Sequence, residues 1–164
     1  MSMEAQREAI VQLLEEVDGI KKSGIVYEYQ KVANSWDAFI ANFTTAQHKI
    51  HAWCVTRVST NEVCHTNNET MRYYQWVIRG YLGLEDSKKS ELAIQRTIEN
   101  ICKKFRQNIN LLETARPGND DNYNDIGIIQ VTLIESRMFG SVLVHYVELG
   151  YRSKELNNDI SLKE

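Results

Sequence analysis

Residues 71–105 constrain this chain most, because two different hydrophobic periods meet there with only a short turn between them. The run 71–82, MRYYQWVIRGYL, is aromatic and β-branched, the composition that suits a pleated, half-buried surface. Arg72, Tyr74, Trp76, Ile78, Gly80 and Leu82 fall on one face of such a strand. Tyr73, Gln75, Val77, Arg79 and Tyr81 fall on the other, so the first set reads as the core face. The stretch 83–87 breaks the strand, and Asp86 or Ser87 is placed to cap a helix over 87–107. Within that helix Ile94, Ile98, Ile101, Cys102 and Phe105 recur at spacings of three and four. A one-faced strand leading into a one-striped helix implies a sheet layer packed on a helix layer.

The rest of the chain supplies partners for both layers. A first helix is expected over 3–19, with Ala9, Ile10, Leu13, Leu14 and Val17 as its stripe and Gly19 as its stop. Residues 25–29 read as a short strand. Ser35 can cap a second helix over 36–43, whose Trp36, Phe39, Ile40 and Phe43 form a plug suited to covering one end of the sheet. A strand over 50–58 follows, then a polar connection running from Ser59 to near Glu69, which makes a long hairpin with the 71–82 strand. The segment 108–125 is rich in Asn, Asp and Gly, holds Pro117, and reads as a loop. Two apolar runs, 126–134 and 142–151, are separated by a break at 136–140 and form a second hairpin or bulged meander. A polar tail is expected from about 153 to 164. The prediction is a single α+β domain over 1–164, a two-layer sandwich with a mixed or antiparallel β-sheet packed against helices.

Composition excludes several classes of function. With 164 residues, of which 43% are hydrophobic and 25% charged, the chain suffices for one core and is short for two. A net charge of −3 with scattered basic residues argues against a dedicated nucleic-acid binder, which needs clustered Lys and Arg. The apolar runs fall well short of the roughly 20 residues of a membrane span. The first residues carry neither the basic nor the apolar region of a secretory leader, so synthesis in a cytoplasm is expected. Three cysteines, an odd number at irregular spacing, suit free thiols in a reducing compartment.

Reactive side chains are present without the spacings that chemistry requires. His48, His51, Cys54, Cys64 and His65 are zinc-type ligands, yet none forms a Cys-x-x-Cys or His-x-x-x-His pair. His51 and Cys54 point to opposite faces of one strand. His145 with Glu148 resembles a base and its orienting carboxylate, but residues three apart on a strand also face opposite ways. Asp120, Asp121 and Asp125 lack the glycine and terminal glutamate of a calcium loop. No glycine-rich phosphate loop is present. Catalytic, cofactor and metal residues are therefore all predicted to be none.

The segments 77–84 (VIRGYLGL), 51–57 (HAWCVTR) and 137–148 (RMFGSVLVHYVE) are similar to those of phage and prophage proteins laid out like the tail terminators, or neck proteins, of long-tailed phages. The resemblance spans about residues 5 to 152. It implies a virion protein, made in the host cytoplasm, that assembles as a ring, generally a hexamer. Such a ring caps the tail tube, docks on the head connector and lets DNA pass through its channel without sequence-specific binding. The loops 59–70 and 113–125 would then engage the tube or connector. The chain also has more large side chains than one sheet face uses. Trp53, Tyr73, Tyr81, Tyr146 and Tyr151 are candidates for an intersubunit face, or alternatively for cover of the sheet beneath the first helix. A competing expectation is a small adaptor or immunity-type binding domain. A small hydrolase or metal-dependent enzyme would instead place His145, or the Cys54 and Cys64 region, in a pocket.

Overall fold

A computed structural model describes residues 1–66, 69–109 and 124–157. Its elements, in chain order, are α1 (Met3–Glu15), β1 (Ile25–Tyr27), α2 (Trp36–Phe43), β2 (His51–Thr66), β3 (Glu69–Gly83), α3 (Ser90–Gln107), β4 (Gln130–Phe139) and β5 (Val142–Asn157). The strands form one sheet in the order β1-β2-β3-β5-β4. β1 lies parallel to β2, and the remaining pairs are antiparallel. The fold is thus α+β with a mixed sheet packed against helices.

The core follows the two periods read in residues 71–105. Tyr74, Trp76 and Ile78 of β3 join Trp53 and Val55 of β2 and Val147, Leu149 and Tyr151 of β5 on one face. Ile10, Leu13 and Leu14 of α1 and Ile94, Ile98, Ile101 and Phe105 of α3 pack onto that face. Trp76 is fully buried, and its indole N–H donates to Ser153 Oγ at 2.8 Å, so its burial leaves no donor orphaned. Gly80, opposite Trp53 in the ladder, leaves room for the indole: a Cβ there would stand 2.5 Å from Trp53 Cζ3.

The opposite face carries a smaller cluster of Phe43, Ala52, Cys54, Tyr81 and Tyr146, with Phe39 and Phe139 packed against it. Here α2 covers one end of the sheet, capped as expected by Ser35 Oγ, which accepts from Ala38 N–H at 3.2 Å. Phe43 and Tyr81 bring their ring centroids to 4.4 Å.

Several boundaries depart from the sequence reading. α1 ends at Glu15 rather than 19, and Gly19 takes φ +105° in the turn where the chain passes Thr97 of α3. α3 begins at Ser90 after one 3-10 turn, with Lys89 in the left-handed region and neither Asp86 nor Ser87 capping it. Residues 59–66 are strand, paired with 69–75 of β3, and not a loop. Residues 154–157 are likewise strand, paired with 70–73 of β3, and not a tail. The expected break at 136–140 narrows to a turn at Gly140 and Ser141, because β4 stays paired as far as Phe139. The predicted loop 113–125 lies outside the described residues up to 123, as does the tail beyond 157.

Candidate functional site

The five aromatics expected to offer an intersubunit surface are used up inside the chain. Trp53, Tyr73, Tyr81, Tyr146 and Tyr151 are each at most 4% exposed. Trp53 and Tyr151 belong to the core beneath α1 and α3, whereas Tyr81 and Tyr146 belong to the cluster beneath α2. The correction has a plain cause: near α1, α3 and α2 the sheet is covered on both faces, so Trp53 and Tyr151 on one face and Tyr81 and Tyr146 on the other find cover within the protomer.

Exposed apolar surface sits elsewhere, along the outermost strand. Val131, Ile134 and Met138 of β4 are 44%, 46% and 56% exposed. Their ladder partners on β5 are Leu149, Val147 and Leu143, so all three project on the face that α1 and α3 cover over the inner strands. β4 is an edge of ten residues with one register shift between Val131 and Leu133, and it contains neither lysine nor proline. Natural sheets normally blunt such an edge with charge, proline, a bulge or a covering element, and β4 carries charge only at Glu135 and Arg137, which pair with each other. At the other edge, β1 pairs only with Ala52, Trp53 and Cys54, and β2 runs on to Thr66 with nearly every side chain beyond Thr56 exposed.

This distal part of the sheet, formed by β2, β3 and β5, is held by polar pairs. Arg72 pairs with Glu62 across the hairpin, and Tyr74 O–H donates to Glu155 on β5. Burial first, and then the Glu155 carboxylate, push the Tyr74 phenol up to about 12.

A third feature joins two side chains that sequence reasoning did not connect. Ser90, the first residue of α3, and His145 of β5 are 55 residues apart, and their Oγ and Nε2 stand 2.8 Å apart. Both are buried and line a cleft of about 480 Å³ with Leu84, Leu92, Ile134 and Glu135. A serine beside an imidazole is the start of a nucleophilic site. The same serine also serves the turn that precedes the helix. Ser90 Oγ already accepts the Glu85 N–H at 2.9 Å, which holds the turn into α3. Among the described residues no carboxylate holds His145 Nδ1 as a catalytic orienter would. The pair ties the start of α3 to β5.

The zinc-type residues are scattered. Cys54 is buried beneath α2, Cys64 and His65 are exposed on the distal part of β2, and His51 lies at the base of β2. All three cysteines are free thiols. Cys54 and Cys64 are ten residues apart on one strand, about 33 Å, far beyond disulfide reach. Among the described residues no group of three or more His, Cys, Asp or Glu could hold a metal ion. No described helix is long and apolar enough to cross a membrane.

No protein-family model and no curated protein matches this chain. Functional reading therefore rests on the residues themselves.

Burial holds the imidazoles of His51 and His145 below their ordinary value, with Glu91 partly opposing the shift at His145. Unfolded imidazoles titrate near pH 6.5, so below that value the unfolded chain takes up protons that the folded one resists. The stability due to the neutral rings is complete above about pH 6.5 and is lost as pH falls toward the depressed folded values. Thermal melts are expected to show Tm dropping between about pH 7 and 5. His145→Gln should reduce that slope. A Tm flat across the interval would contradict burial of both rings as neutral groups.

Proposed function

We propose that this chain is the subunit of a non-catalytic, ring-forming virion protein of the tail-terminator or neck type. In this reading a homo-oligomer, a hexamer by resemblance, caps the tail tube and joins it to the head connector. DNA passes through its channel, and no cofactor takes part. The observation that supports self-assembly is the pair of unlike, open sheet edges. β4 presents a ten-residue edge with an exposed apolar row on one face, while β1 presents a short one at the other end of the same sheet. Strand directions make β1 antiparallel to β4, so β4 of one copy can pair with β1 of the next without reversing either subunit. Pairing of unlike edges is head-to-tail, and head-to-tail contacts close into rings when the rotation permits. The polar distal strands of β2 and β3 would then be free to meet the tube or the connector.

Light scattering on the purified protein, and on protein mixed with tail tubes, tests the assembly. The expected species is a multimer of defined size above the dimer, and an Ile134→Lys, Met138→Lys protein is expected to run as a monomer of unchanged fold. Complementation of a phage lacking this gene tests the role. The charged variant should give tails of abnormal length or tails unattached to filled heads. A stable monomer or dimer that binds an unrelated partner, with normal tails in the gene's absence, would replace this proposal with the adaptor reading.

A further inference from the structure

A second cleft, of about 390 Å³, opens between α3 and the two turns that precede β1 and β2. Its polar wall is drawn from three distant stretches: Ser23 after α1, Lys49 and His51 at the base of β2, and Arg96, Thr97 and Asn100 on α3. Charge in it is unbalanced. Among the described residues neither Lys49 nor Arg96 forms an ion pair, and the single carboxylate on the wall, Asp18, is taken by Lys21. Glu85, a carboxylate outside the cleft wall that feels Lys49, is held by Lys88 at 2.7 Å.

His51 adds an independent observation. It is 6% exposed, its Nδ1 stands 3.3 Å from Ser23 Oγ, and its Nε2 is buried with no hydrogen-bond partner. Buried polar atoms are almost always satisfied, so an orphaned ring nitrogen on the wall of a cationic cleft calls for a missing partner. With the Ser23 hydroxyl donating to Nδ1, the tautomer places a proton on Nε2 and makes it a donor. His51 lines one cleft together with the guanidinium-bearing Arg96 and the ammonium-bearing Lys49. That set complements an oxyanion: the planar fork of Arg96 matches its oxygens, and Lys49 supplies a mobile point charge.

We propose that this cleft binds a phosphate-type oxyanion, either free or carried by a small molecule, with Arg96, Lys49 and His51 as its ligands. The inference is independent of the ring reading, since it needs only the folded protomer. An anion placed there also favours the charged imidazole and opposes the burial that now holds His51 neutral. The charged groups facing His51 across the cleft are Lys49, Arg96 and Asp18, the last already paired.

The test is a titration of the full chain with inorganic phosphate, followed through the imidazole resonances of its four histidines, with His51 assigned from a His51→Gln protein. Saturable movement of the His51 signals is expected, together with a rise in its pKa of about one unit or more. An Arg96→Gln, Lys49→Gln protein should weaken phosphate binding by roughly tenfold or more. Lys22→Gln, an exposed lysine outside the cleft wall, should leave it unchanged. Saturable binding of a phosphomonoester tighter than phosphate alone would identify the carried form, and equal binding the free ion. Silence of the His51 signals, or a shift that survives Arg96→Gln, Lys49→Gln, would overturn the proposal.

Discussion

Phe105→Ala is expected to cost about 3–5 kcal/mol of folding stability, the range for truncating a fully buried aromatic. Phe105 is 1% exposed in the last turns of α3 and meets Tyr151 edge-to-face, with ring centroids 5.1 Å apart. Tyr151 in turn sits opposite Trp76 in the β3–β5 ladder, so the lost ring leaves its void where helix and sheet layers join. Both neighbours are held by the ladder, and the cavity can collapse only in part. Denaturant unfolding measures the loss. Unchanged stability would mean that the stripe of α3 does not face the sheet.

Gly80→Ala should destabilise by about 1–3 kcal/mol although it adds a single methyl group. The new Cβ would lie 2.5 Å from Cζ3 and 2.7 Å from Cη2 of Trp53, whose ring is fully buried and cannot yield as a surface side chain could. The same geometry predicts a coupling. Trp53→Leu removes the atoms that the methyl strikes, so Gly80→Ala should cost much less in a Trp53→Leu background than alone. Additive costs would show that backbone conformation at residue 80, and not the indole, excludes alanine.

Much of the fold was legible because burial leaves a local trace. The face of β3 that carries Trp76 and Ile78, the stripe of α3 and the Ser35 cap of α2 all follow from spacing within a few residues. What was not legible lacks such a trace. Residues 59–66 and 154–157 are polar because neither helix layer covers them, so their strand character comes from ladder hydrogen bonds to β3 and not from alternation. The aromatics Tyr81 and Tyr146 looked surplus because a second buried face beneath α2 does not announce itself in strand periodicity. Ser90 with His145 and Ser23 with His51 are 55 and 28 residues apart, and no local pattern links the members of either pair. The exposed edge of β4 was readable as apolar; only strand order shows that it ends the sheet.

That strand order also sets a timetable for synthesis. β5 lies between β3 and β4 yet is the last of the described elements, so β3 has a bare flank until residue 157 has emerged. The β2–β3 hairpin and α3 are made early, but the ladder that seals them joins residues 61 to 87 positions apart in the chain, from the Gly83–Val144 pair to the Thr70–Asn157 pair. Non-local pairing of this kind is slow, and the unpaired flank is open to other nascent chains while it waits. The protomer therefore becomes safe from wrong strand pairing only once β5 has emerged in full, and crowded expression should favour aggregates built on β3 before it favours correctly closed subunits.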